Sequence, residues 1–287
     1  MGKSDAGAQV GMSANYEYTL EESILKVEDA SLTLGENLIL DKVSFEIRNI
    51  TRPDSIAGQV VGLLGPSGIG KTQLFHLLAG LKQPTSGRVL IGDPGVPVKR
   101  GMVGVVAQHY PLFMHRSVLN NLLVAGARSG KPEAEYKQKA HNLLEQFRLL
   151  DRANHFPSQL SGGQRQRVAI AQQIMCSESF LLMDEPFSGL DLMALRKVQE
   201  LIHGISTAHE FNTIIVVTHD ITAALEVADT ILLLGRNSDE QGRFIPGARI
   251  QAIYNLIERG LAWRKGISST PAFVDCLAEI RDRFALL

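Results

Sequence analysis

Hydrophobic positions along this chain follow two different periods. Over residues 23–47 they fall on alternate residues (Leu25, Val27, then Val43, Phe45, Ile47), and Gly35-Glu36-Asn37 divides the two runs. That pattern predicts antiparallel strands joined by a turn. Short apolar runs at 59–64, 103–107, 180–183, 214–217 and 230–234 read as further strands. Between 117 and 175 the spacing changes to three or four, as at Leu143, Leu144, Phe147 and Leu150, which predicts helix. A helix is also expected over 71–81 and another between the strands at 180 and 214. Apolar strands alternating with helices point to a parallel sheet covered on both faces.

The ends read differently. Residues 1–22, rich in Gly, Ser and Ala, are expected to be a flexible leader. In the tail, Ile250, Ile253, Leu256, Ile257 and Leu261 make one apolar stripe, and Phe273, Val274, Leu277, Ile280 and Phe284 a second. Both stripes predict helices, so 241–287 is expected to be a helical C-terminal extension packed on the same subunit.

Composition narrows the class. The chain has 287 residues, enough for one large domain or two modest ones, and its 45% hydrophobic content excludes a disordered chain. Its formal net charge of −1 offers no electrostatic footprint for nucleic acid. Cys176 and Cys276 cannot form a disulfide scaffold and read as reduced thiols. The N-terminus lacks the apolar core of a secretion signal, and Ala6 stands where a myristoylation pattern needs Ser or Thr. No apolar run approaches the roughly 18 residues that span a bilayer. The expectation is a cytosolic chain that reaches a membrane only through a partner.

The chemistry begins at Gly65-Pro66-Ser67-Gly68-Ile69-Gly70-Lys71-Thr72, which matches G-x-x-x-x-G-K-[ST] between a predicted strand and a predicted helix. Glycines let successive N–H groups converge on one phosphate, and the helix N-terminus adds positive potential. Lys71 is expected to reach the β- and γ-phosphates, and the Thr72 hydroxyl to ligate Mg2+. Many unrelated nucleotide-binding proteins share this loop, so it indicates a ligand and not a function.

Further motifs follow in a fixed order. Gln108 lies just past the strand ending at Ala107. Leu160-Ser161-Gly162-Gly163-Gln164 opens a helix. Phe180-Leu181-Leu182-Met183-Asp184-Glu185-Pro186 is an apolar run ending in two acids, Ser188 to Asp191 reads SGLD, and His219 closes the strand over 214–218. In this set the chain closely resembles the nucleotide-binding subunits of the ABC (ATP-binding cassette) family, from about residue 24 to 234.

The resemblance implies an α/β fold: a P-loop NTPase core with a mostly parallel sheet, an N-terminal antiparallel β subdomain and an inserted helical subdomain at about 109–174, within a nucleotide-binding domain over 23–240. It implies ATP and Mg2+ as ligands. Asp184 would join Thr72 and Gln108 around the metal, and Glu185 would take the proton of a water attacking the γ-phosphate. His219 would contact that phosphate. Ser161, Gly162, Gly163 and Gln164 would cover the nucleotide held by a second copy, with Asp191 beside them, so that two nucleotides are sandwiched in a homodimer. His76, His109, His115 and His203 match no family position.

Two departures stand out. Leu34 occupies the position where the family usually stacks an aromatic ring on adenine, so base affinity is expected to be lower. Residues 48–57 are longer than the usual turn and read as a solvated loop.

With no spanning segment, the chain resembles the separate energising subunit of a transporter, peripheral on the cytoplasmic face of the inner membrane. Its expected partners are a second copy, a transmembrane permease subunit and a solute-binding protein. Tyr110, Leu112 and Phe113 fall where such subunits receive the permease. The stretches around the signature and after Gln108 look most like importers of the nitrate, sulfonate or taurine type. The alternatives are an exporter's ATPase subunit and a soluble ABC ATPase outside transport.

Overall fold

The computed structural model describes residues 9–13, 16–51, 58–107, 111–176, 180–206, 213–262 and 266–287. Two sheets organise it. The first is antiparallel, built from β1 (Gln9–Ser13), β2 (Tyr16–Leu34), β3 (Asn37–Thr51), β5 (Ser86–Ile91) and β6 (Val96–Pro97), in the order β1-β2-β5-β6 with β3 paired to the other edge of β2. The second holds β4 (Gln59–Leu64), β7 (Gly104–Val106), β8 (Phe180–Asp184), β9 (Thr213–Thr218), β10 (Thr230–Gly235) and β11 (Arg249–Asn255). Its order is β11-β10-β4-β9-β8-β7, and every pairing except β10 with β11 is parallel.

Strand alternation divides the interior in two. Val61, Leu63, Ile215 and Val217 face one way, into a core shared with α1 (Lys71–Leu78) and the antiparallel sheet. Val60, Leu64, Ile214 and Val216 face the other way. There they meet α2 (Val118–Gly126), α3 (Glu133–Gln146), α4 (Gly162–Cys176), α5 (Leu192–Ser206), α6 (Ile221–Val227) and α7 (Pro271–Phe284). A strand buried on both faces must be apolar throughout, and β4 (QVVGLL) is buried at all six positions. The carboxyl ends of these strands therefore form one edge at which loops can gather, as open parallel sheets require.

Three expectations are corrected. Much of the leader is strand: β2 starts at Tyr16, pairs with β1 from Gln9↔Leu20 to Ser13↔Tyr16, and meets β3 at Thr19↔Thr51. Tyr18 and Leu20 belong to an alternating run, Tyr16-Glu17-Tyr18-Thr19-Leu20-Glu21, that the leader assignment passes over. The first tail stripe is also not a helix. Ile250 and Ile253 carry helical spacing, yet they lie on β11, where an odd offset sends them to opposite faces; Ile250 packs on the core and Ile253 is 57% exposed. The unpaired edge of β10 accounts for this outcome, since β11 satisfies its backbone groups. Leu256, Ile257 and Leu261 are buried in the turns that follow.

The second stripe is the helix α7, capped by Thr270, whose hydroxyl accepts from Phe273 N at 3.3 Å. Its buried face is Phe273, Cys276 and Ile280, while Val274 is 55% exposed. The third correction concerns the solvated loop, because Arg48 to Thr51 continue β3, with Asn49 buried; the rest of that loop, 52–57, lies outside the described residues.

Candidate functional site

The G-x-x-x-x-G-K-T segment joins β4 to α1 as the sequence predicts. Gly68 and Gly70 take φ values of 78° and 114°, which favour glycine. Gly65 packs so closely that a Cβ there would lie 2.6 Å from the Leu234 carbonyl oxygen. Gly70 caps α1 without a side chain to cover the helix end, and Ser67, Gly68 and Thr72 are exposed beside it. Ile69 instead buries its side chain in the core and anchors the loop. The result is an open ring of backbone at a positive helix end, suited to phosphate.

Lys71 is buried, and its Nζ donates to the carbonyl oxygens of Gly65 at 2.7 Å and Pro66 at 3.1 Å. Burial pushes its pKa down, while Glu185 and Asp184 act to raise it. Asp184 ends β8 and Glu185 follows it, but their settings differ. Burial first, and then Glu185, lift the Asp184 carboxyl above its ordinary value; His76 and Lys71 pull it back. A carboxylate so placed is one that a cation would relieve, and with the Thr72 hydroxyl it would supply the hard oxygen donors that Mg2+ takes beside phosphates. The residues present fit that ion.

Glu185 has left-handed backbone, φ 47°, and its N–H donates to Val217 O at 2.8 Å. Its Oε2 accepts from the Thr218 hydroxyl at 2.9 Å. Its Oε1 lies 2.9 Å from His219 Nδ1 and 4.0 Å from Lys71 Nζ. The carboxyl edge of the sheet thus brings the phosphate loop, Asp184, Glu185 and His219 together from β4, β8 and β9.

A second group of expected residues gathers elsewhere. Ser161 caps α4 reciprocally: its Oγ accepts from Gln164 N at 3.3 Å, and its N–H donates to Gln164 Oε1 at 2.9 Å. Gly162 and Gly163 have no atom within 4 Å of an added Cβ. Residues 161–164 line a cleft of about 1290 Å3 with Asp191, Met193, Leu112 and Met114, and no residue of 65–72 lines it. Asp191 spends its Oδ1 on Ala194 N at 2.8 Å, at the start of α5. The cleft that the signature lines is therefore not shared with the phosphate loop of the same chain. Leu34 sits at the tip of the β2–β3 hairpin and is 37% exposed. Gln108, His109 and Tyr110 lie outside the described residues.

Three residues escaped the sequence reading. Thr218 grips Glu185 from the next strand. His76 lies one helical turn beyond Thr72 and favours the charged form of Asp184; its spacing from Thr72 was the available signal. Asn121, fully buried on α2, accepts from Phe113 N at 2.8 Å and donates to the carbonyl oxygens of Phe113, Arg116 and Ser117, shaping the segment after Gln108.

Known proteins resemble this chain in sequence and fold. Residues 52–188 match the family model described as ABC transporter. The sulfate/thiosulfate import ATP-binding protein CysA 1 of Rhizobium meliloti is 40% identical over 195 residues, which are 66% of this chain and 56% of that protein. The CysA protein of Acinetobacter baylyi is 43% identical over 204 residues, 68% of this chain and 57% of its own length. The chain thus spans little more than half the length of these curated relatives. Among solved structures, cbiO1 of Clostridium perfringens, part of the ABC transporter complex cbiONQ, superposes with a TM-score of 0.70 at 25% identity, covering 90% of this chain and all of that one. With the phosphate loop, the acid pair and the signature lying in that order on this fold, the chain carries an ABC transporter ATP-binding domain.

Proposed function

We propose that this chain is the ATP-binding and ATP-hydrolysing subunit of an ABC importer, in which closure of two copies around nucleotide drives passage of a small solute. The observation that carries the reading is the Glu185 carboxylate, held beside buried Lys71 and His219 at the mouth of an open phosphate loop. Mg2+, when bound, neutralises the β- and γ-phosphates. Lys71 would leave its two carbonyl partners for those phosphates, Thr72, Asp184 and Gln108 are the residues that would hold the ion, and Glu185 would take the proton from the attacking water while His219 steadied the γ-phosphate.

That residues 161–164 line a cleft without the loop of the same chain suits completion of each site by a second copy, with a two-fold axis making both sites alike. Gly162 and Gly163 present the N-terminal end of α4 to that copy's nucleotide, and Asp191 sits beside them. The nucleotide-binding unit is taken as residues 23–240, with a helical part at 109–174.

Among the described residues no helix is long and apolar enough to cross a membrane, so passage needs a transmembrane permease, which this chain meets on the cytoplasmic face. Leu112 and exposed Phe113, on the segment that Asn121 braces, are the proposed contact. The sulfate/thiosulfate import names of the relatives favour a small oxyanion as cargo, delivered by a solute-binding protein.

Glu185→Gln is the test. The variant is expected to bind Mg-ATP, to turn over at least about a hundredfold more slowly, and to elute as a dimer in size-exclusion chromatography with Mg-ATP. A monomer peak unchanged by nucleotide would count against the sandwich.

A further inference from the structure

Thr218 is the last residue of β9 and is 0% exposed, although it carries a hydroxyl at the end of an otherwise aliphatic run, Ile214 to Val217. A buried hydroxyl is costly unless it is bonded, and this one is bonded twice. Its oxygen accepts from Asp220 N at 3.1 Å, and it stands 2.9 Å from Glu185 Oε2. Because the Asp220 N–H occupies a lone pair, the single hydroxyl proton is directed at the carboxylate.

Helix capping does not require this hydroxyl. The Asp220 side chain already caps α6 by accepting from Ala223 N at 3.0 Å. The strand ladder holds the Thr218 backbone independently, through the pairing Leu64↔Thr218. The role left for the side chain is its bond to Glu185, and a β-branched residue on a strand aims such a bond with little rotamer freedom.

From this geometry we infer that Thr218 is a positioning residue for Glu185. It pins Oε2, and so leaves Oε1 as the oxygen turned toward His219 and Lys71. When Lys71 turns to the phosphates, that pinning keeps Oε1 directed at the water. The inference rests on the ATPase reading above and adds the residue that orients its base.

The test measures ATP turnover of the full chain with Thr218→Val, Thr218→Ser and Thr218→Ala, together with nucleotide affinity and thermal midpoint. Thr218→Val and Thr218→Ala are expected to lower kcat about tenfold or more, with KM for ATP within about twofold, because an interaction acting through the base is lost and not ground-state binding. Thr218→Ser keeps the hydroxyl and is expected to stay within about threefold of the unmutated chain. In a Glu185→Gln background, Thr218→Val should cause no further loss. Unmutated kcat in Thr218→Val or Thr218→Ala, or a fall in Thr218→Ser as deep as theirs, overturns the assignment while leaving the ATPase reading intact. No turnover by the unmutated chain, or full turnover by Glu185→Gln, overturns the ATPase reading and this assignment with it.

Discussion

The Tyr18 hydroxyl donates to Glu258 Oε1 at 3.0 Å, joining residues 240 positions apart. Asn255 Nδ2 donates to the same hydroxyl at 3.1 Å, so the start of β2 is tied to the turn after β11. Tyr18→Phe keeps the buried ring and deletes both bonds. Urea unfolding is expected to show a loss of about 1 kcal/mol, with nucleotide affinity unchanged because Leu34 lies at the opposite end of β2 and the phosphate loop and the acids follow other strands.

Arg259 pairs with Glu279 on α7, with its Nη1 2.6 Å from Oε2, and lies over the Tyr254 ring. The hydrogen bond to Arg259 holds the Glu279 carboxyl below its ordinary value of 4.5. A carboxyl depressed on folding adds stability above its unfolded value and loses it as pH falls through the lower folded value. Both side chains are more than a third exposed, so the effect is small, below about 1 kcal/mol. The prediction is that Glu279→Gln lowers the thermal midpoint slightly at pH 7 and not at all at a pH below the folded value. Thermal scans at the two pH values check it.

Lys71→Ala removes the buried cation that faces the open loop. ATP affinity is expected to fall on the order of a hundredfold or more, since phosphate charge is left without its counter-ion. Fluorescence titration with a labelled nucleotide measures this. Burial already disfavours the charged lysine, so the fold itself should tolerate the change.

An adenine ring stacked at Leu34 would meet only an aliphatic face. Leu34→Tyr should add a stacking contribution of about 0.5–1.5 kcal/mol, tightening ATP binding by about twofold to tenfold. Calorimetric titration of the two chains side by side checks this, and equal affinities would place the base elsewhere.

Contiguity decided what could be read in advance. The phosphate loop, the signature and the acid pair are unbroken strings, each at the end of one strand or the start of one helix, so their elements were legible from residue order. The Glu185–Thr218–His219 cluster was only half legible. Both acids and the histidine stand in motifs, but the Thr218 bond depends on β8 and β9 being neighbours, which no local pattern states. The tail was misread because Ile250 and Ile253 fit a helical spacing as well as two faces of a strand. Only the open edge of β10 decides between them. The leader failed for a different reason: the start of β2 alternates, but β1 (QVGMS) has a weak pattern of its own and takes its structure from its pairing with β2.

The left-handed turn at Glu185 has a last consequence. A side chain there sits in a conformation that only glycine adopts freely, so Glu185→Gly would relax the backbone while deleting the carboxylate. Ruggedness and turnover are opposed at this one position, and a screen for heat resistance alone would drift toward a tougher, idle molecule.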